Sequence, residues 1–106
     1  MVAEPACGEV WWGEVPDAKP RPYLVLTRSE AIPVLNRILV APITRNARGI
    51  PTEVPLGAPE GLPTDCVASF DNVVTLGKAL LVRRLGVLAI ERRAEPCEAL
   101  RAATDC

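Results

Sequence analysis

Hydrophobic residues along this chain fall in short runs, often alternating with polar residues, and proline or glycine separates one run from the next. Short runs bounded by turn-forming residues are typical of β-strands. They predict strands at residues 8–15, 23–27, 37–44, 50–56, 64–76 and 77–88. The fifth run is interrupted at Asp71 and Asn72, whose side chains favour turns. Residues 28–36 have room only for a helical turn, because Pro33 limits a longer one.

The first predicted strand alternates with a period of two. This pattern places Val10 and Trp12 on one face and Glu9 and Trp11 on the other, so at least one tryptophan is expected in the core. The tryptophan that faces outward could stack on a base or pack against a second subunit, and subunit packing is the interpretation we favour.

The last stretch, from about Arg92 to Asp105, is the one candidate for a helix. Cys97, Leu100 and Thr104 recur on one helical face there, and Pro96 indicates that the helix begins or bends at that point. Short strands followed by one terminal helix predict a mainly β protein, built as a small barrel or a strongly bent antiparallel sheet. A chain of 106 residues is expected to form one domain, spanning residues 1–106.

Charge is nearly balanced over the whole chain but not along it. The net charge is −1, so no overall field attracts an anionic partner. Between residues 19 and 48, however, Glu30 is the only acidic residue among several basic ones. These are Lys19, Arg21, Arg28, Arg37, Arg45 and Arg48. A local basic surface is therefore available to a phosphate backbone.

The chain contains no histidine and four cysteines, Cys7, Cys66, Cys97 and Cys106, without a CxxC pair. This composition does not favour a metal site and excludes Ser/His and Cys/His nucleophilic catalysis. We expect Cys66 and Cys97 to be small core residues. With neither a leader-like N-terminus nor an apolar run of membrane-spanning length, we expect a cytoplasmic protein that does not associate with membranes.

Several segments taken together resemble the MazF/PemK family of toxin endoribonucleases. They are GEVWW (8–12), RPYLVL (21–26), APIT (41–44), SFDNVVTLGKALLVRRLGVL (69–88) and ALRAATDC (99–106). The resemblance implies an SH3-like barrel of the CcdB/MazF type that forms a homodimer. It also implies cleavage of single-stranded RNA without a metal or other cofactor, and neutralisation by a cognate antitoxin.

The resemblance also implies which residues catalyse the reaction. Arg21 matches the arginine of the family's RP motif and Thr44 the threonine of its P-x-T motif, while Asp71 matches a frequent acidic position. RNA carries its own nucleophile, the 2′-OH, so the protein need supply only geometry, charge stabilisation and proton transfer. The Arg21 guanidinium suits the developing charge on the phosphate, and the Thr44 hydroxyl could bind the phosphate or the leaving 5′ oxygen. Asp71 could accept the 2′-OH proton or simply order its turn with Asn72.

RNA binding is predicted for Lys19, Arg45, Arg48 and Asn72. The simpler alternative for Arg45 and Arg48 is a solvated turn. Structural alternatives also exist for the two main candidates: an ion pair of Arg21 with Glu14 or Asp17, and a strand-end cap for Thr44. Ser69 stands where some family members carry arginine and Val74 where many do, so the rate and the sequence preference of the family cannot be transferred to this chain.

Two other functions stay open from the sequence. One is a non-catalytic toxin like CcdB that binds DNA gyrase, although the tail ending ATDC has no recognisable gyrase-contacting motif. The other is an inactive barrel that only binds the antitoxin.

Overall fold

The computed structural model describes residues 4–104, so the predicted helix end at Asp105 and the cysteine at position 106 lie outside the described residues. The strands are β1 (Glu9–Gly13), β2 (Arg21–Val25), β3 (Arg37–Thr44), β4 (Glu53–Leu56), β5 (Cys66–Ser69), β6 (Val74–Gly77) and β7 (Leu81–Val87), and the helix is α1 (Ala94–Ala103). Single 3₁₀ turns lie at Ile32–Val34, Ala58–Glu60, Phe70–Asn72, Lys78–Leu80 and Ile90–Arg92. The mainly β architecture with a C-terminal helix is confirmed.

The strands form a curled antiparallel sheet, a half-barrel, in which β3 is shared by two groups. One edge of β3 pairs with β2. Its other edge pairs with β6 along Arg37–Val40 and then with β5 at Ile43 and Thr44. β1 and β7 extend the sheet beyond β2, and β4 extends it beyond β5. The change of partner occurs between Val40 and Ile43, and Thr44, the last residue of β3, pairs with β5.

Both faces of β1 are covered, and the predicted alternation places its residues correctly, with Val10 and Trp12 toward the main core and Glu9 and Trp11 on the other side. Val10 is fully buried in the main core with Leu24, and Trp11 is 4% exposed in a second core with Tyr23. Trp11 is thus the buried tryptophan, and its indole N–H donates a 2.9 Å hydrogen bond to the Glu9 carboxylate. Two register shifts, after Val10 and after Trp12, interrupt the pairing of β1 with β7.

The main core lies between the curled sheet and α1, around the buried Phe70. The helix covers it with Ala99, Leu100 and Ala103. The predicted face was wrong: Cys97 is exposed, because the helix is rotated so that small Ala residues meet the sheet. Pro96 lies in the first turn of the helix, where its missing N–H costs nothing.

The other cysteines in the described range are only partly buried. Cys66 packs against the main core, and Cys7 donates a weak hydrogen bond to the Leu26 carbonyl at 3.6 Å. Burial raises the pKa of the Cys7 thiol, which keeps it in the less reactive protonated form.

A loop at residues 57–63 crosses β7 with backbone against backbone. A Cβ atom at Gly61 would collide with the Leu85 carbonyl, and one at Gly86 would collide with the Glu60 carbonyl. Gly61 also has φ +84°, a left-handed conformation that glycine adopts without strain. Two glycines are therefore required where the loop closes the open side of the half-barrel.

A buried carboxylate, Glu60, and its partner Arg92 secure this crossing. The Glu60 side chain is 3% exposed and accepts hydrogen bonds from the Gly57 N–H at 2.6 Å and the Arg92 guanidinium at 3.3 Å. Arg92 also forms an ion pair with Glu95 of α1 at 2.7 Å and donates to the Pro55 carbonyl. The hydrogen bond between Arg92 and Glu95 raises the pKa of the arginine and lowers that of the carboxyl. Loop, edge strand and helix are thus joined by one guanidinium.

No helix within residues 4–104 is both long enough and apolar enough to span a bilayer.

Candidate active site

Arg21 begins β2, and its neighbours restrict its backbone from both sides. Pro20 and Pro22 fix φ on either side of it. Across the ladder it pairs with Gly13, where a Cβ atom would lie 2.7 Å from two ring carbons of Tyr23. The side chain is exposed. Among the residues that the structure describes, it forms no ion pair with Glu14 or Asp17. Its guanidinium is available to an anionic ligand.

Thr44 is the last residue of β3 and is half-buried. Its backbone pairs with Val67 of β5, which fixes the strand end. The hydroxyl oxygen accepts a hydrogen bond from the Asn46 N–H at 3.2 Å, as a strand-end cap would. Because that contact uses a lone pair of the oxygen, the hydroxyl proton remains available for donation to a ligand.

Asp71 lies in the 3₁₀ turn that follows β5. Phe70 anchors this turn in the core, and its N–H donates to the Thr52 carbonyl at 2.9 Å. The Thr52 hydroxyl donates to Asp71 Oδ2 at 2.6 Å, which leaves Oδ1 free for another donor. Asn72 also serves the turn, since its amide donates to Ser69 Oγ at 2.9 Å.

These separate elements meet around one cavity of about 200 Å³. Among the predicted site residues, Arg21, Thr44, Arg48, Asp71 and Asn72 all line it. They come from β2, the end of β3 and the turns after β3 and β5. Residues 50 positions apart in the sequence are thus gathered at one opening of the half-barrel.

The other two predicted RNA-binding residues lie elsewhere. Lys19 and Arg45 line a second cavity of about 970 Å³, which adjoins the first because Arg21, Thr44 and Asn46 line both. Arg45 and Arg48 are exposed on the turn after β3, so solvation and ligand binding are both compatible with their positions.

The prediction from sequence missed five residues of the smaller cavity, of which three are polar: Asn46, Glu53 and Ser69. Glu53 Oε1 accepts hydrogen bonds from the N–H groups of Arg48 and Gly49, at 2.9 and 3.0 Å, and so shapes the turn that carries Arg48. Ser69 is buried beside the cavity, and Val74 is exposed on β6 without lining it.

The cavity combines charges of both signs. Arg21 and Arg48 are cationic, whereas Asp71 and Glu53 are anionic. The Glu53 carboxylate already accepts hydrogen bonds from backbone N–H groups of the turn that carries Arg48. A guanidinium, a hydroxyl and a free carboxylate oxygen around one small space can bind a phosphate and accept a proton beside it. Residues 4–104 contain no cluster of three cysteine or acidic side chains suited to hold a metal ion.

Comparison with known proteins decides the family. A family model described as PemK-like, MazF-like toxin of type II toxin-antitoxin system matches residues 6–104. The chain belongs to this family. The match confirms the predicted resemblance and favours the endoribonuclease toxin over the CcdB-like alternative.

Individual MazF proteins agree with the family model along almost the full chain. The probable endoribonuclease MazF5 of Mycobacterium tuberculosis is 45% identical over 107 residues, covering 100% of this chain and 98% of the relative. The M. tuberculosis toxin MazF-mt6 superposes with a TM-score of 0.85 at 37% identity, covering 92% of this chain and 96% of that one. An endoribonuclease from a mycobacterial species, solved in complex with its cognate antitoxin, gives a TM-score of 0.81 at 27% identity and covers 93% of each chain. The chain is a MazF-like endoribonuclease toxin.

Proposed function

We propose that this MazF-like toxin cuts single-stranded RNA by attack of the 2′-OH on the adjacent phosphate, within the cavity that Arg21, Thr44 and Asp71 line. The observation that supports it most is the convergence of these side chains from three elements on about 200 Å³ of space. As the 2′ oxygen bonds to phosphorus, the bond to the 5′ oxygen of the next nucleotide breaks. The products are a 2′,3′-cyclic phosphate and a fragment with a 5′-OH.

Charge stabilisation is the role we assign to Arg21. Negative charge grows on the non-bridging oxygens in the transition state, and the planar guanidinium can donate to two of them at once. The restricted backbone around Arg21 reduces the entropy lost when it binds the phosphate.

Proton transfer is assigned to the other two residues. The free Oδ1 of Asp71 accepts the 2′-OH proton, and the Thr44 hydroxyl donates a hydrogen bond to the phosphate or the leaving 5′ oxygen. The leaving 5′ oxygen takes its proton from a water molecule and so becomes the 5′-OH. Arg48 and Asn72 contact the RNA beside the reacting phosphate. Because the nucleophile belongs to the RNA, this chemistry requires no metal or other cofactor.

The wider setting also belongs to this proposal. The chain acts as one toxin domain, forms a homodimer in the cytoplasm and is neutralised by a cognate antitoxin. Complexes of similar proteins support the last point: the mycobacterial endoribonuclease with its cognate antitoxin and MazE-MazF from Deinococcus radiodurans, which is 25% identical with a TM-score of 0.79.

Cleavage of single-stranded RNA in EDTA tests the mechanism. Wild-type protein is expected to cut the RNA, and 2′-deoxy substitution at the mapped cleavage nucleotide is expected to stop the reaction. Arg21→Ala and Thr44→Ala should each lower the rate about 100-fold or more, as the loss of a transition-state donor does. Arg101→Ala, an exposed arginine on α1 outside both cavities, is the matched control. Cleavage of the 2′-deoxy substrate, or full activity of Arg21→Ala, would show that the mechanism is wrong.

A further inference from the structure

The larger cavity beside the proposed catalytic one has an apolar floor at the end of the main core. Ile43 and Leu62, which are 3% and 4% exposed, belong to this floor together with Leu85. The loop that crosses β7 forms one side and the segment before β2 forms the other. The floor is therefore a continuation of the core that remains open to a ligand.

The rim of this cavity is strongly basic. Lys19, Arg21, Arg45 and Arg83 line it, and no acidic residue does so among those the structure describes. This contrasts with the net charge of −1 for the chain and with the two carboxylates of the smaller cavity. An apolar floor within a ring of cations is complementary to a ligand that combines a flat hydrophobic group with a phosphate.

Trp12 supplies a stacking surface in the same place. It is half-buried and lines the cavity, while its neighbour Trp11 is buried in the second core. On β1 it pairs with Pro22 of β2 on one side and Arg83 of β7 on the other. The Pro22 ring, the Trp12 indole and the Arg83 guanidinium thus lie side by side on three neighbouring strands. The indole can stack on a base while the guanidinium binds the phosphate of the same nucleotide.

We propose that this cavity binds the nucleotide next to the scissile phosphate, with its base against Trp12 and its backbone phosphate on Arg83 and Lys19. This inference deepens the proposed RNA cleavage and rests on it. An RNA strand that leaves the catalytic cavity past Thr44 and Asn46 enters this second space directly, because both residues line both cavities. The preference among bases would then be decided partly by the fit against Trp12.

Two neighbouring arginines of β7 provide a matched pair for the test. Arg83 lines the cavity, whereas Arg84 forms an ion pair with Glu9 at 2.9 Å and does not line it. Both are exposed and both carry one positive charge. Arg83→Gln and Arg84→Gln therefore change the net charge equally and differ in their relation to the cavity.

The experiment uses a fluorescein-labelled RNA that the wild-type protein cuts, with a 2′-O-methyl group at the mapped cleavage nucleotide so that it is bound intact. Arg83→Gln is expected to raise Kd about fivefold and to reduce the salt dependence of binding by about 0.7 in slope, as for one lost phosphate contact on a single strand. Arg84→Gln is expected to leave both quantities unchanged. Equal effects of the two variants would overturn the proposal.

Trp12 is tested by its own fluorescence and by substitution. RNA binding is expected to quench the wild-type tryptophan emission, and Trp12→Phe should lose most of this quenching although Trp11 remains. Trp12→Leu should raise Kd fivefold or more, with Trp12→Phe between it and the wild type. Thermal unfolding of each variant verifies that it is folded.

Other outcomes separate the possible failures. Wild-type protein that cuts no RNA would contradict the proposed function itself. Normal cleavage with unchanged RNA affinity in Trp12→Leu and Arg83→Gln would contradict this inference alone. If Trp12→Leu instead dissociates the protein in sedimentation while each folded subunit binds RNA normally, the surface is a subunit interface and the nucleotide site is excluded.

Discussion

Thr52 offers a sharp test of how Asp71 is positioned, because its hydroxyl makes one specific contact that can be removed without changing the shape of the side chain. The hydroxyl donates to Asp71 Oδ2 at 2.6 Å, while the Thr52 carbonyl accepts the Phe70 N–H. Thr52→Val keeps the backbone contact and the β-branched shape but removes the donor. Thr52→Ser keeps the donor and removes a methyl group.

The size of the effect follows from the geometry of the bond. A hydrogen bond to a charged group contributes about 1.5 to 3 kcal/mol. Thr52 is half-buried and Asp71 is exposed, so water can replace part of this hydrogen bond when the hydroxyl is removed. We therefore expect the bond to contribute about 1 to 1.4 kcal/mol. Since 1.36 kcal/mol corresponds to a factor of ten, Thr52→Val should slow the chemical step about five- to tenfold. Thr52→Ser should remain within about twofold of the wild type.

Single-turnover cleavage with the protein in excess measures this step without the influence of product release. The positioning role of Thr52 is contradicted if Thr52→Val cuts at the wild-type rate while Asp71→Asn is slow. If Asp71→Asn instead cuts RNA at the wild-type rate, Asp71 has no role in the mechanism. The two results are distinguishable because the substitutions alter different partners of the same hydrogen bond.

Three further predictions concern stability. Gly86→Ala should cost about 3 kcal/mol in urea unfolding because its Cβ would meet the backbone of the loop, and a loss below about 1 kcal/mol would contradict the required close approach. Gly77→Ala is its control, because the nearest atom to its Cβ is 4.0 Å away. Phe70→Ala should cost about 3 to 5 kcal/mol, a loss that thermal and urea unfolding both measure. Glu95→Gln should destabilise by less than 1 kcal/mol near neutral pH, since the carboxylate is 39% exposed. Because the folded pKa of Glu95 is lowered, that difference should disappear as pH falls below the ordinary value of 4.5, and a difference that persists in acid would exclude the ion pair as its cause.

Local pattern was sufficient for most of the strands, whereas the catalytic candidates around the smaller cavity were identified through the family resemblance. Arg21 stands between two prolines where β2 begins, Thr44 ends β3 and Asp71 stands in a turn, so the local sequence already indicated that these residues lie at the ends of elements. Their convergence depended on the family resemblance, since spacing along the chain does not reveal which strand ends meet.

The errors arose where distant segments decide the structure. Both faces of β1 pack against other parts of the chain, so the period of two alone could not identify which tryptophan is buried. The rotation of α1 depends on the shape of the sheet beneath it, which turned Cys97 outward. Thr52 was not predicted because it reaches Asp71 across 19 residues, and nothing near either residue indicates the contact.

The crossing of the loop over β7 sets a lower limit on the width of the larger cavity. With only glycine at the point of contact, the two backbones already lie as close as atoms permit, so this wall cannot move inward around a small base. The Glu60 side chain and Arg92 hold the same loop from behind, which opposes outward movement as well. Any adjustment to bases of different size must therefore come from the opposite wall, where Lys19 and Arg45 lie on exposed segments. Substitutions that change the base preference should accordingly lie in those two segments, while the position of the glycine crossing stays the same.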